Sequence, residues 1–214
     1  MTLPTALILD FGGVLTTDLW ESVRGCARRE GLPADTLVDL LHQDQRIHDM
    51  FAALERGEVS QSAFEAVLGA AAGVDPERLL GRMCAELRPD EAMLAATAAL
   101  RAQGIRVGVL SNSWGAGPWD GGYFDPYDGY DLAERADAVV ISDKIGIRKP
   151  DPAIFHLMLA ELDVPAAAAV FVDDVARHLP PAAGMGMTVI HHADTQATLA
   201  ELERVFALPL VAAQ

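Results

Sequence analysis

Apolar and polar positions change rhythm twice along this chain. The first apolar run, "TALIL", is short and continuous, the pattern of a buried strand, and it stops at Asp10. From Asp18 to about Leu87 the spacing becomes helical in "ESVRGCARREGL", "ADTLVDLLHQD", "SQSAFEAVLGAAAG" and "DPERLLGRMCAEL", with almost no strand signal. Ser60 and Asp75 are expected N-caps, and Pro76 suits a first helical turn. Alternation then begins. "PDEAMLAATAALRAQG" predicts a helix with Pro at its start and Gly104 past its end. "IRVGVLS", "ADAVVIS", "AAVFVDD" and "MTVIHH" predict strands, with helices over "DPAIFHLMLAEL" and "DTQATLAELERVF".

Strands alternating with helices imply an α/β fold: a three-layer, Rossmann-like parallel sheet with helices on both faces. The all-helical stretch after the first strand then reads as an inserted cap. The expected division is a core of residues 1–17 and 88–214 and a small helical cap of residues 18–87. Ligands of such sheets bind beyond the carboxyl ends of the strands. One stretch resists the pattern. Residues 114–130, "WGAGPWDGGYFDPYDGY", have no periodicity, yet hold two of the three Trp and all three Tyr. The alternatives there are a surface insert and a lid or partner-contacting loop; a homodimer built on that surface is compatible with the second.

Charge narrows the partners. Against 31 Asp+Glu stand 16 Lys+Arg, a net charge of −15, which disfavours general binding to nucleic acid or an anionic membrane. Cys26 and Cys84 match no zinc or redox spacing and read as free thiols in a reducing compartment. The start of the chain has no basic region, and no apolar run reaches membrane length, so the expectation is a cytoplasmic protein.

Four features fall at or just after strand ends. Asp10 ends the first strand, Ser111 and Asn112 the second, Asp173 and Asp174 the strand "AAVFVDD", and Lys149 follows the third strand in "GIRKPDP". Each alone has an ordinary reading as turn or cap chemistry. Together at one sheet edge they form a coherent site. Three close carboxylates cannot all stay ionised without a cation. Hard oxygen ligands with open positions suit Mg2+, and Mg2+ plus Lys149 offsets three negative charges, leaving a basin that accepts a phosphate. Backbone N–H groups of the "DFGG" turn, with Gly12 and Gly13, can approach phosphoryl oxygens. Ser111 can donate a hydrogen bond and Lys149 can hold developing charge. Asp10 can attack phosphorus and form an aspartyl phosphate.

The sequence resembles the haloacid dehalogenase superfamily of phosphohydrolases. "LILDFGGVLT", "VGVLSNS", "IRKPDPAIF" and "VFVDDVARHLPPAAGMGM" are similar to its four motifs, in order. Within it, "DFGGVLT", the Trp of "SNSW" and the "VDD…PPA…GMGM" run resemble the phosphatase group of epoxide-hydrolase N-terminal domains. The resemblance implies Asp10 as nucleophile and metal ligand, with Lys149 beside it as the catalytic lysine. It implies a metal-binding carbonyl on Gly12, phosphate and substrate contacts from Ser111 and Asn112, and Asp173 and Asp174 as the acidic metal pair. Asp174 is favoured as the direct ligand. The partner implied is a small phosphorylated substrate.

One position departs from that pattern. The usual general acid two residues after the nucleophile is Gly12, and losing a positioned acid costs about 10²–10⁴ in rate. Slow turnover of good leaving groups such as acyl or sugar-1-phosphates, a replacement proton shuttle, or lost turnover each follow from it. His178 stands where Asn is common in the fourth motif; the expectation is a helix-surface His, with a substitute acid as the alternative. The rivals to a Mg2+-dependent phosphatase are a C–halogen hydrolase, which would not keep both Asp173 and Asp174, and a non-catalytic phosphometabolite-binding protein. His191 and His192 are expected in a solvent-facing turn, and "ARREG" on a solvated helix face.

Overall fold

The computed structural model describes residues 3–114 and 125–210. Five strands form one parallel sheet: β1 (Ala6–Leu9), β2 (Arg106–Ser111), β3 (Ala138–Ile141), β4 (Ala169–Asp173) and β5 (Thr188–His191), in the order β3-β2-β1-β4-β5. β1 is central, and all four of its residues are buried, as a strand covered on both faces must be. Leu7 and Leu9 face one apolar cluster, with Met93 and Leu100 of α6 (Glu91–Ala102) and Leu199 and Leu202 of α11 (Thr195–Phe206). Ala6 and Ile8 face the other, with Phe155 and Met158 of α9 (Pro152–Glu161) and Ala182 of α10 (Leu179–Gly184). The sheet is therefore the middle of three layers.

The chain runs outward from β1 through β2 to β3, then crosses back to β4 and β5 on the opposite side of β1. That reversal is a topological switch point, where a crevice opens beyond the strand ends. The register sets what meets there. Leu9 pairs with Val109 on one side and Val172 on the other, so Asp10 and Asp173 leave the sheet side by side.

Between β1 and α6 lie five helices, α1 (Leu19–Arg29), α2 (Thr36–Gln43), α3 (Gln45–Glu55), α4 (Gln61–Ala72) and α5 (Leu79–Met83). They bury an apolar cluster of their own, including Leu37, Ile47, Phe51 and Phe64. The block's entry and exit are zipped together: Thr17 N–H donates to the Arg88 carbonyl at 2.8 Å, and Asp90 N–H to that of Leu15 at 3.0 Å. Ser60 caps α4 as expected, accepting from Ala63 N–H. Asp75 does not cap α5. It accepts from Glu77 N–H in a turn, and the helix begins later, at Leu79. Among the described residues no helix is long and apolar enough to cross a membrane.

Four short elements complete the described fold: α7 (Leu132–Arg135), α8 (Ser142–Ile145) and 3-10 turns at Ala166–Ala168 and Ala176–His178. The irregular stretch expected over residues 114–130 lies partly outside the described residues, since 115–124 are not among them. Its described ends are not surface insert. Trp114 is buried in the helical block's cluster, its ring 5.5 Å from Phe51. Tyr127 and Tyr130 close on Phe11, each with ring centroids 4.7 Å away. Aromatic rings bury large areas, and these cover the residue next to Asp10.

Candidate active site

Every sequence-predicted site residue lies at the carboxyl edge of the sheet. Asp10 is fixed by its own backbone and by a lysine. Its N–H donates to the Val172 carbonyl at 2.9 Å, its Oδ1 accepts from Phe11 N–H at 2.7 Å, and Lys149 Nζ lies 2.9 Å from the same Oδ1. Among the described residues nothing bonds Oδ2. One oxygen is thus held and the other is open.

Lys149 is fully buried and bridges two carboxylates, donating to Asp173 Oδ2 at 2.6 Å as well. Asn112 does not reach into the site so much as hold the lysine's backbone. Its amide donates to the Lys149 carbonyl at 3.0 Å and accepts from Lys149 N–H at 2.8 Å. Ser111, buried at the end of β2, lies beside the Tyr127 phenol, which burial pushes well above its ordinary range.

The acidic pair divides into two roles. Asp173 is saturated: Lys149 takes Oδ2, while Oδ1 accepts from Val175 N–H at 2.8 Å and faces His178 Nδ1 at 3.0 Å. Burial works against its charge, but Lys149 and His178 outweigh it and hold its carboxyl below the usual range. Asp174 is the opposite case. Its Oδ1 is buried with no hydrogen bond, and burial, then Asp173, push its carboxyl up to about 6. Asp10 is raised well above an ordinary aspartate, first by burial, with Asp173 and Asp174 adding to it and Lys149 opposing. Burial opposes the charge on Lys149, yet Asp10 and Asp173 more than restore it.

Simple proximity groups Asp10, Asp173 and His178, whose ligating atoms lie within 4.8 Å of one another. Hydrogen bonding redraws that set. A carboxylate already accepting from a lysine, an amide and an imidazole has little capacity left for a cation. The open Oδ2 of Asp10 and the orphaned Oδ1 of Asp174 are the oxygens that need one, because an unpaired buried carboxylate is costly. Hard oxygens of this kind fit Mg2+.

Gly13 makes the approach of Asp174 possible. Its φ is +80°, and a Cβ there would sit 2.7 Å from Asp174 Oδ2. Its N–H is committed to Thr16 Oγ1 at 3.0 Å, so what Gly13 contributes is space. At Gly12 a Cβ would meet only Leu19, at an ordinary 3.8 Å. A Cβ, the first atom of the missing acid's side chain, is therefore accommodated there.

His178 is not a surface residue. It is 3% exposed, packed on Asp173, with its Nε2 buried and unpartnered; burial lowers its pKa. The reading as a surface helix failed because a 3-10 turn, not the helix, carries it. The legible signal was its spacing from Asp173, five residues through a tight turn. Thr16 was also missed, although a Thr three residues after a turn glycine is a common local acceptor. His191 is exposed, its Nε2 2.9 Å from the Asp174 carbonyl, but His192 is buried and faces Thr198 Oγ1 at 2.9 Å rather than solvent. The arginines of "ARREG" are solvated: Arg28 pairs with Glu21 and Arg29 with Glu86 on the surface.

Residues 4–186 match a family model described as haloacid dehalogenase-like hydrolase. The chain is 28% identical over 210 residues to sesquiterpene phosphatase astK of Aspergillus oryzae, covering 94% of this chain and 95% of that one. It is 31% identical over 135 residues to bifunctional epoxide hydrolase 2 of Sus scrofa, covering 63% of this chain and 24% of the pig protein. The chain therefore matches about a quarter of that relative's length. Among solved structures, a HAD family enzyme of Bacteroides thetaiotaomicron in complex with magnesium and inorganic phosphate aligns with a TM-score of 0.67 at 19% identity, over 92% of this chain and 98% of that one. At that identity the likeness speaks for the fold.

Proposed function

From the premise that this chain belongs to the haloacid dehalogenase-like hydrolases, we propose that it hydrolyses a small phosphoric monoester through an aspartyl-phosphate on Asp10, with Mg2+ as cofactor. The observation that carries this reading is an Asp10 with one oxygen held and one open, together with an Asp174 that fills the space left by Gly13 and has a buried oxygen without a partner.

Asp10 is the nucleophile: one carboxylate oxygen attacks phosphorus and the other faces the cation. The Phe11 N–H and Lys149 fix Oδ1 and so aim the carboxylate. An ammonium has three donors; two serve Asp10 and Asp173, and the third is available to a phosphoryl oxygen, where charge develops. Asp173 acts on the lysine: with Asp10 it keeps Nζ protonated and in place. Asp10 Oδ2 and Asp174, with the Gly12 carbonyl, would hold Mg2+, which when bound neutralises the carboxylates and the phosphoryl oxygens. Water then splits the acyl phosphate and regenerates Asp10. Gly12 donates no proton to the leaving alcohol, so esters with good leaving groups are favoured. The helical block over residues 18–87 serves as the cap, and its wall of Trp20, Leu41 and Phe51, with Trp114, lines a cavity of about 60 Å³ beside Asp10.

The phosphatase relative from Aspergillus oryzae and the phosphate complex of the Bacteroides enzyme support phosphoryl chemistry. The saturated and orphaned acidic pair speaks against C–halogen hydrolysis, which has no use for it. The test is a panel of phosphorylated metabolites with Mg2+, run beside Asp10→Asn. The expected result is turnover that falls about 10⁴-fold in the variant; wild-type rates in the variant end the proposal.

A further inference from the structure

In a chain of net charge −15, one groove runs the other way. It is about 420 Å³ and is lined by His48, Arg56, Arg148, Lys149 and Arg177, with Asp151 as its acidic member. It shares His48, Arg148 and Arg177 with the inner cavity that Asp10 lines, so these three side chains border both.

The acids there are already engaged. Glu58 binds Arg56 through both oxygens, at 2.7 Å each. Asp151 caps α9 through the Ala153 N–H. Glu55, at the end of α3, pairs with Arg148 at 2.8 Å. Two cationic groups keep capacity. Arg148 is largely buried, and its Nε–H is without a hydrogen bond; a guanidinium has five donors, and a buried idle one is costly. Arg177 has no ion-pair partner among the described residues. The cavity that Arg148, Arg177 and Asp10 line together also has an apolar part to its wall, with Leu41, Phe51 and Trp114, the last with its own Nε1 buried and unpartnered.

We propose that the substrate carries, besides its phosphoryl group, a second anionic group, a carboxylate or another phosphate, which Arg148 and Arg177 bind at the seam between the helical block and the sheet. Guanidinium forks suit both anions, and the apolar wall takes the spacer between the two charged ends. This rests on the reading of Asp10 as the phosphoryl site and adds what the far end of the substrate must be.

The experiment measures binding, so that it stands apart from turnover. Asp10→Asn protein with Mg2+ is titrated calorimetrically with propyl phosphate, phospho-oxypropanoate and propanediol bisphosphate, which differ only in the tail. The expected result is at least about tenfold tighter binding of one or both anionic-tailed ligands, the size of one charge-assisted contact. The preferred tail identifies the anion. Arg177→Ala on the same background should reduce the gap to about twofold, and Arg204→Ala on α11 should leave it intact. Equal affinities for all three ligands, no detectable binding, or a gap that survives Arg177→Ala overturns the subsite. Hydrolysis of the same esters by the unmutated protein tests the Asp10 reading separately.

Discussion

Lys149 and Arg148 are neighbours in sequence that face two different regions. Lys149 turns into the strand ends and is fully buried between Asp10 and Asp173. Arg148 turns to the seam, where its partner Glu55 comes from α3. The lysine's carboxylates are placed by adjacent strands whose backbones are hydrogen-bonded in register, so its geometry follows from the sheet. The arginine's partner is carried by another packed block, so its geometry depends on how that block sits. Gly57 marks this joint: a Cβ there would collide with the Asp143 backbone. The Asp10–Lys149–Asp173 cluster is thus built on the sheet, and the Arg148–Glu55 pair is built across a joint between side chains.

The largest way to break the comparison is Lys149→Met. It leaves Asp10 and Asp173 buried without their cation, and removing one partner of a buried pair costs about 3–5 kcal/mol. The expected outcome is a fall of that size in urea unfolding free energy together with lost turnover; an unfolding free energy equal to the unmutated protein's would mean that the lysine is not the keystone of this edge. Gly12→Asp probes the same layer in the other direction. A Cβ at Gly12 meets only Leu19, at an ordinary distance, and a positioned acid is worth about 10²–10⁴ in rate, so kcat for esters with poor leaving groups should rise at least tenfold.

A smaller effect is expected from pH and metal together. Asp174 is pushed up to about 6 from an unfolded value near 3.8. A raised carboxylate stabilises the fold fully below its unfolded pKa and loses that contribution as pH rises through its folded pKa. In chelator, the thermal midpoint should therefore fall between pH 4 and pH 6 (roughly, from this linkage). Mg2+ should raise the midpoint more at neutral pH than at mildly acidic pH, because the ligand must be deprotonated; a Mg2+ shift independent of pH would remove Asp174 from the metal site. The smallest effect belongs to the seam. Gln keeps a side-chain oxygen that can accept from Arg148 where Glu55 now does, so Glu55→Gln should cost only about 1 kcal/mol in unfolding free energy. A loss as large as that of Lys149→Met would erase the distinction between the two regions.

Much of this was legible along the chain. Buried-strand runs, helical spacing and the order of four short motifs placed Asp10, Ser111, Asn112, Lys149 and the acidic pair at one edge of a parallel sheet. Those signals are local or periodic, and a parallel sheet converts them into position through its fixed register. Asp75, His178 and His192 were misread because their surroundings come from elsewhere: a turn that delays a helix, a 3-10 turn that lays His178 on the carboxylate ending β4, a threonine on α11.

What the amino-acid order determined alone was the kind of layer, the residues that end its strands, and the absence of an acid at Gly12. What the tertiary structure decided was which carboxylate of the Asp173–Asp174 pair is already filled, that Gly13 is the space Asp174 occupies, and that Arg148 meets Glu55 across the seam. Hydrogen-bond saturation and buried charge depend on groups distant in sequence, and only packing brings those groups within reach of one another.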